Sequence, residues 1–225
     1  AGIIGEGPSD LAVIKNILKG ALGMSSTEIE PLLPNDQYDE TALHTMRQAQ
    51  HSNWTLVKQA CIEGQLHEDF YAQSEENQFV IVHIDTDMRK EIGFEVHLPI
   101  AVSDESSYLE LLGNVQERLG EWLRHNADRT TYAIAVEETD AWILTLYSDV
   151  QETGLLVNPK AKLDRHLNDT LSKKERNAMF GSKEKAVEYD EKSKAFRKTK
   201  TLKDCMKRNR SLAHFCNQLE RFRPV

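Results

Sequence analysis

The sequence lacks several features that would point to a particular class of protein. No apolar run approaches the roughly 20 residues a membrane-crossing helix needs, so no membrane span is expected. The opening residues Ala1 to Gly5 lack a basic start followed by a long apolar core, so no signal peptide is expected either. Cysteine is scarce: Cys61, Cys205 and Cys216 are scattered and odd in number, which excludes a disulfide framework and suits the reducing cytoplasm. Cys205, His214 and Cys216 lie close together but match no common zinc spacing, and buried helical thiols are the simpler expectation. There is no Gly-x-x-x-x-Gly-Lys-Ser/Thr phosphate loop, no internal repeat and no low-complexity tract.

Apolar residues make up 40% of the 225, enough for a sizeable core. The net charge of -8 hides two unlike halves. Residues 1–157 carry 9 Lys+Arg and 27 Asp+Glu, a net -18; residues 158–225 carry 19 and 9, a net +10. An acidic body can gather cations, and a basic segment can hold a polyanion by releasing its counterions. Lys160, Lys162, Arg165, Lys173, Lys174, Lys198, Lys200, Lys203, Arg208 and Arg210 form the pool from which contacts to DNA or RNA would come. Any single one of them is more simply a solvated helix face, and the expectation rests on the segment as a whole.

Strand and helix signals alternate along the first 150 residues. Gly2-Ile3-Ile4-Gly5 reads as the end of a buried strand, and Gly7-Pro8-Ser9-Asp10 as a helix start, with Pro8 at the first helical position. Leu11, Ile14, Ile17, Leu18 and Leu22 then fall on one helical face. Residues 25–40, with two prolines, read as a loop. Residues 41–63 read as helix, interrupted near residues 51–53, and residues 72–78 as a polar connector. Residues 79–84, Phe-Val-Ile-Val-His-Ile, form the clearest strand, apolar on both faces as a central parallel strand should be. A further strand signal lies within residues 93–102. Residues 106–124 read as a helix with Leu109, Leu112, Val115, Leu119 and Trp122 inward. Residues 132–136 form a strand that runs into Glu137, Glu138, Thr139 and Asp140 and then into helix. The expected fold is therefore α/β, a mainly parallel sheet flanked by helices over residues 1–150, with a basic helical extension over 151–225.

In an open parallel sheet, ligands bind beyond the C-terminal strand ends. Glu6 follows the first strand, Asp85 and Asp87 follow the central one, and Glu137, Glu138 and Asp140 follow the last. Clustered carboxylates repel one another and raise each other's pKa, a penalty that a divalent cation removes. Oxygen ligands favour Mg²⁺, or Mn²⁺, over zinc. Taken singly, Asp-x-Asp also occurs in phosphatases and ordinary turns, and Glu6 or the acidic run before Ala141 is also a normal helix start.

Two of these segments resemble the motifs of Toprim domains. Gly5-Glu6-Gly7-Pro8-Ser9-Asp10 is similar to the glycine-flanked Glu turn between strand and helix, and Val82-His83-Ile84-Asp85-Thr86-Asp87 to the apolar strand ending in Asp-x-Asp. Glu137-Glu138-Thr139-Asp140-Ala141-Trp142 is similar to an acidic segment of small stand-alone Toprim proteins of phage defence. The resemblance implies a Mg²⁺-dependent nuclease related to the overcoming-lysogenisation-defect type. Glu6 would be the general acid/base or a ligand, Asp85 and Asp87 the metal ligands, and Asp10, Glu137, Glu138 or Asp140 accessory ligands, for one metal or two. An ATPase-linked nuclease would draw its ATPase from another chain, since this one has no phosphate loop. Nearly eighty residues separate Glu6 from Asp85, so the helical segment 41–71 would be an insertion in a compact Toprim core.

Three other readings compete. A haloacid-dehalogenase-type phosphatase uses Asp-x-Asp, but on its first strand, and leaves Glu6 unexplained. A dinucleotide fold needs Gly-x-Gly-x-x-Gly, whereas Gly2, Gly5 and Gly7 give Gly-x-x-Gly-x-Gly with a glutamate that would repel pyrophosphate. A non-catalytic Toprim-like subunit would bind nucleic acid or a partner without cutting. The histidines are read as structural, His83 beside the site but facing the core, and His97, His166 and His214 without evident partners. Oligomeric state is left open.

Overall fold

Strands form where the apolar runs lie. β1 is Gly2–Ile4, β3 is Val80–Asp85 and β4 is Thr130–Ala135, each buried throughout apart from Asp85 at the end of β3. The computed structural model describes residues 1–34, 53–73, 78–88, 91–94, 96, 102, 104–123, 129–180 and 184–223. A fourth strand, β2, spans Glu30–Leu33, within the stretch expected to be a loop. Its Pro31 has no N–H to give a ladder, but β2 lies at the sheet edge, where proline is tolerated. The register against β1 also shifts between Ile3 and Ile4. The sheet order is β2-β1-β3-β4, and all three pairings are parallel. The expected α/β class and parallel sheet are thus present. Of the expected strand at 93–102, only Gly93, Phe94, Val96 and Val102 are described, and none is in a strand; the expected helix at 41–52 lies outside the described residues.

Helices cover both faces. α1 (Pro8–Leu22) starts after an extended Gly7 and ends at Gly23, whose φ of 72° lets its N–H turn back to the Lys19 carbonyl. α2 (Asn53–Glu63), α3 (Gln65–Gln73) and α4 (Glu105–Leu123) precede or link β3 and β4. After β4 come α5 (Asp140–Leu144), α6 (Pro159–Thr170), α7 (Lys173–Phe180), α8 (Lys185–Ser193), α9 (Thr199–Met206) and α10 (Arg210–Leu219). The inward stripe of α4 is Tyr108, Leu111, Leu112, Val115, Leu119 and Trp122, while Leu109, expected inward, is 51% exposed. Tyr108 takes that place because it lies three and four positions from Leu111 and Leu112, on the same helical face. No described helix is long and apolar enough to cross a membrane.

Strand alternation divides the core in two. Val80, Val82, Ile84, Tyr132 and Ile134 face α2, α3 and α4, where Trp54, Phe94 and Trp122 stack. Ile81, Ala133 and Ala135 face α1, α5, α6, α9 and α10, among them Trp142, Leu163, Leu202 and Phe215. The basic segment thereby joins α1 and α5 in one of the two helical layers over the sheet.

The tightest approach in that layer is backbone to backbone. A Cβ on Gly20 of α1 would lie 1.9 Å from the Phe196 carbonyl oxygen, in the 3₁₀ turn Lys194–Arg197. Thr199 Oγ1 closes the contact by donating to the Gly20 carbonyl at 2.7 Å. Gly→Ala in an accommodating helix stabilises by about 1 kcal/mol. Here the sign should reverse: Gly20→Ala is expected to lower stability by about 1–3 kcal/mol through overpacking, measured by urea unfolding. A neutral or stabilising result would show that α1 and the turn do not meet this closely.

Candidate metal centre

Parallel pairing brings the C-terminal ends of β1, β3 and β4 to one edge of the sheet. Ile4 pairs with Val82, and Asp85, the last residue of β3, pairs with Ala135 of β4. Glu6 leaves β1 in the turn before α1, and its Oε1 accepts a 2.7 Å hydrogen bond from the Asp85 N–H. Asp10, in the first turn of α1, accepts from Thr139 Oγ1 at 2.6 Å, which joins the β1 edge to the β4 edge. Asp10, His83 and Asp85 each bring one potential ligand atom within 4.8 Å of the others.

The acidic groups feel one another. Burial first, and then the Asp85 charge, holds the Glu6 carboxyl well above its ordinary pKa, with His83 partly opposing the shift. Burial, followed by repulsion from Asp10, Asp87, Asp140 and Glu138, does the same to Asp85. Glu138 is raised by burial and by Asp140, and Asp140 by burial, against a Tyr189 hydrogen bond and the Lys160 and Lys192 charges. Carboxylates from three segments therefore share one electrostatic site. The buried Asp85 Oδ1 has no hydrogen-bond partner among the described residues, a position that a cation would fill. An orphaned, charge-repelled oxygen among carboxylates fits a divalent ion.

The surroundings fix these groups. Thr86 N–H donates to the Ala135 and Glu137 carbonyls at 3.0 and 3.1 Å, Asp87 N–H donates to the same Glu137 carbonyl at 3.1 Å, and Glu137 N–H donates back to Thr86 Oγ1 at 2.9 Å. This ties the β3 and β4 ends together. Tyr189 of α8 donates to the Asp140 carboxylate, with both oxygens 3.0 Å away. Burial and the Asp140 charge push the Tyr189 phenol up, so it stays a donor.

The residues read from sequence fall at different depths in this site. Glu6, Asp10 and Asp85 meet at its centre, Asp140 is buried behind them against Tyr189, Glu137 and Glu138 are half-buried at the β4 turn, and Asp87 is exposed at the mouth. Asp10, expected only as an accessory, is closer to Asp85 than its motif suggested. His83 is buried as expected, but its ring reaches the acidic cluster. His83 and Asp85 are two apart on one strand and so share a face, a parity legible in the sequence. Thr86, Thr139 and Tyr189 carry no motif of their own.

Of the basic pool, Lys160 lies near enough to Glu138 and Asp140 to offset their charge. Lys162, Arg165, Lys173, Lys174, Lys198, Lys200 and Lys203 are exposed. Arg208 pairs with Asp149 at 2.7 Å, and Arg210 lies 3.5 Å from Glu152 and 3.6 Å from Glu105. These two arginines tie the α9–α10 junction to residues 149–152 and to the start of α4. His214 faces Gln116 Oε1 at 3.3 Å, and the three cysteines are buried. No family model matches this chain, and neither does any curated protein or solved structure.

Raised carboxyls give the metal-free protein a defined pH response. The folded pKa values of Glu6 and Asp85 lie above their unfolded values of 4.5 and 3.8. Their stabilising contribution is full below about pH 4 and is lost as pH rises through the raised folded values. In EDTA, Asp85→Asn should therefore be more stable than wild type at pH 7.5, by about 1–3 kcal/mol, and the difference should shrink as pH falls. Thermal melts at stepped pH measure this. A variant that melts below wild type at pH 7.5 would mean that Asp85 is stabilised by its neighbours, not opposed by them.

Proposed function

We propose that this chain is a metal-dependent nuclease that hydrolyses phosphodiester bonds of DNA or RNA. The observation that carries this reading is the convergence of carboxylates from the ends of β1, β3 and β4 on one buried oxygen of Asp85 that has no hydrogen-bond partner among the described residues. Asp85, Asp10 and Asp87 would hold a divalent ion, Mg²⁺ or Mn²⁺, with Glu138 and Asp140 available to a second. When bound, such an ion supplies Lewis-acid stabilisation of charge on a phosphoryl group. Glu6, a buried carboxyl with a raised pKa, is suited to taking a proton from the attacking water and passing one to the leaving oxygen. Hydrolysis adds water across the P–O bond and leaves one phosphate end and one hydroxyl end. The exposed lysines of α6, α7 and α9 would follow the backbone and add salt-dependent affinity.

The resemblance of the Glu6 and Asp85-Thr86-Asp87 segments to Toprim motifs supports the same reading, and so does their placement after parallel strands. A role in cytoplasmic phage defence, with an ATPase on a separate chain, belongs to this proposal. Labelled DNA and RNA, tRNA included, should be cut in Mg²⁺ or Mn²⁺ and not in EDTA. Glu6→Gln and the Asp85→Asn/Asp87→Asn pair should each lower the rate at least about 100-fold while retaining nucleic-acid binding. Binding without cutting in any metal would instead make this a non-catalytic nucleic-acid subunit.

A further inference from the structure

We propose that His83 is a nitrogen ligand of the cation site, which makes that site prefer a borderline divalent ion such as Mn²⁺ or Co²⁺ over Mg²⁺. The inference rests on the preceding reading only in that the acidic cluster binds a cation; it does not need the cation to cut anything.

His83 is 0% exposed, and neither ring nitrogen has a hydrogen-bond partner among the described residues. A buried polar group left unpaired costs about 1–3 kcal/mol; His67 is buried and unpaired in the same way, but among the described residues only His83 has carboxylate oxygens gathered beside its ring. Its Nε2 lies 3.4 Å from Asp85 Oδ1, an oxygen that is also buried and without a hydrogen-bond partner among the described residues. Asp10 completes the set, with one ligand atom from each residue inside 4.8 Å. Two orphaned polar groups of opposite preference, a lone-pair nitrogen and a carboxylate oxygen, are both satisfied by one ion placed between them.

The neighbours of His83 make room for the ring and orient it. Its partner in the β3–β4 register is Ala133, one of the smallest side chains available. On the β1 side lies Gly5, where an added Cβ would already stand 3.7 Å from Nδ1. The indole of Trp142 meets the imidazole edge-on, with centroids 6.3 Å apart and planes at 78°. Trp142 is itself pinned by its Nε1–H bond to Ser211 Oγ at 2.7 Å. The ring is thus held by packing, leaving its nitrogens for a ligand.

Mg²⁺ takes oxygen ligands and gives up its water reluctantly. Imidazole suits transition ions, whose affinity rises along the first row. A site of one His with two or more carboxylates is therefore tuned away from an all-oxygen ion. The competing arrangement is a protonated His83 paired with Asp85, which needs no metal.

The test is metal binding by the whole chain, without substrate. Calorimetric titration of metal-free protein should give Mn²⁺ and Co²⁺ affinities at least tenfold above that for Mg²⁺. Pulsed EPR of the Mn²⁺ form should show coupling to a ¹⁴N nucleus. His83→Gln should remove that coupling and reduce the Mn²⁺ preference over Mg²⁺ to within about twofold. Mn²⁺ that binds in an Asp85-dependent manner with no nitrogen coupling in wild type would overturn the role of His83 while leaving the nuclease reading intact. No Mn²⁺ binding at all would overturn both. Should His83→Gln fail to fold, the wild-type spectrum alone decides.

Discussion

Carboxylates at the end of a parallel sheet repel one another, and much of this molecule is arranged to hold them together regardless. Asp85 is buried among Asp10, Asp87, Glu138 and Asp140, and each of these opposes its charge. Local hydrogen bonds from Thr139 to Asp10 and from Tyr189 to Asp140, with the Lys160 and Lys192 charges, offset that repulsion in part. The force that imposes the gathering is the burial of β1, β3 and β4 on both faces, which fixes where the strand ends lie to within a residue. The apolar core on either side of the sheet is what allows a destabilised site to persist.

The charge asymmetry between the two halves of the chain takes on a structural meaning in this light. The basic half packs with α1 and α5 in the helical layer behind the acidic edge. Lys192 of α8 is 2% exposed and pairs with Glu188 at 2.7 Å and Asp164 at 3.4 Å. Its positive charge still reaches Asp140, as does that of Lys160, and Tyr189 beside it donates to the same carboxylate. α8 is fastened to α1 by buried Asn16, which donates to Ser193 Oγ and the Asp190 carbonyl and accepts from Arg197. So the helix that carries Asp10 and the helix that supports Asp140 are locked to each other by polar contacts that tolerate little displacement. Lys192, buried, and Lys160, exposed, offset the charge of the acidic edge, and the remaining exposed lysines stay available for a polyanion.

How much of this was legible from sequence depended on whether the signal was local. β3 announced itself as an apolar, largely β-branched run, β4 as a short apolar strand running into an acidic segment, and α1 through Pro8 and its apolar spacing. β2 did not, because Pro31 is a legitimate signal against a strand, and only the position of that strand at the sheet edge, a tertiary fact, removes the objection. Leu112, Val115, Leu119 and Trp122 lie inward as expected, and Leu109 does not, because the buried position one turn before Leu111 and Leu112 on that face is Tyr108. Within the site, the carboxylates were found from the rule that loops at strand C-termini converge. Asp10 and His83 were underrated for opposite reasons. Asp10 has an adequate local explanation as a helix-start residue, which conceals its bond to Thr139. His83 sits in an apolar run that reads as core, and only the shared parity with Asp85 betrays its direction. Tyr189 was out of reach, since 49 residues separate it from Asp140, the carboxylate it supports.

Glu137 shows how the edge is closed. It has a φ of 64°, in the left-handed region that side chains seldom adopt, at a cost of about 1 kcal/mol or more. A glycine would take this conformation freely, and none is present. The conformation survives because Thr86 bonds Glu137 in both directions, its N–H to the carbonyl and its hydroxyl from the N–H, while Asp87 N–H shares the same carbonyl. The reversal turns the chain at the end of β4 so that Thr139 meets Asp10 and Asp140 enters α5 pointing back to Tyr189. A straight continuation of β4 would carry both residues away from the sheet edge. The strained residue and the hydroxyl that holds it are therefore part of the same device as the carboxylates: without that turn, the third acidic segment would not reach the other two.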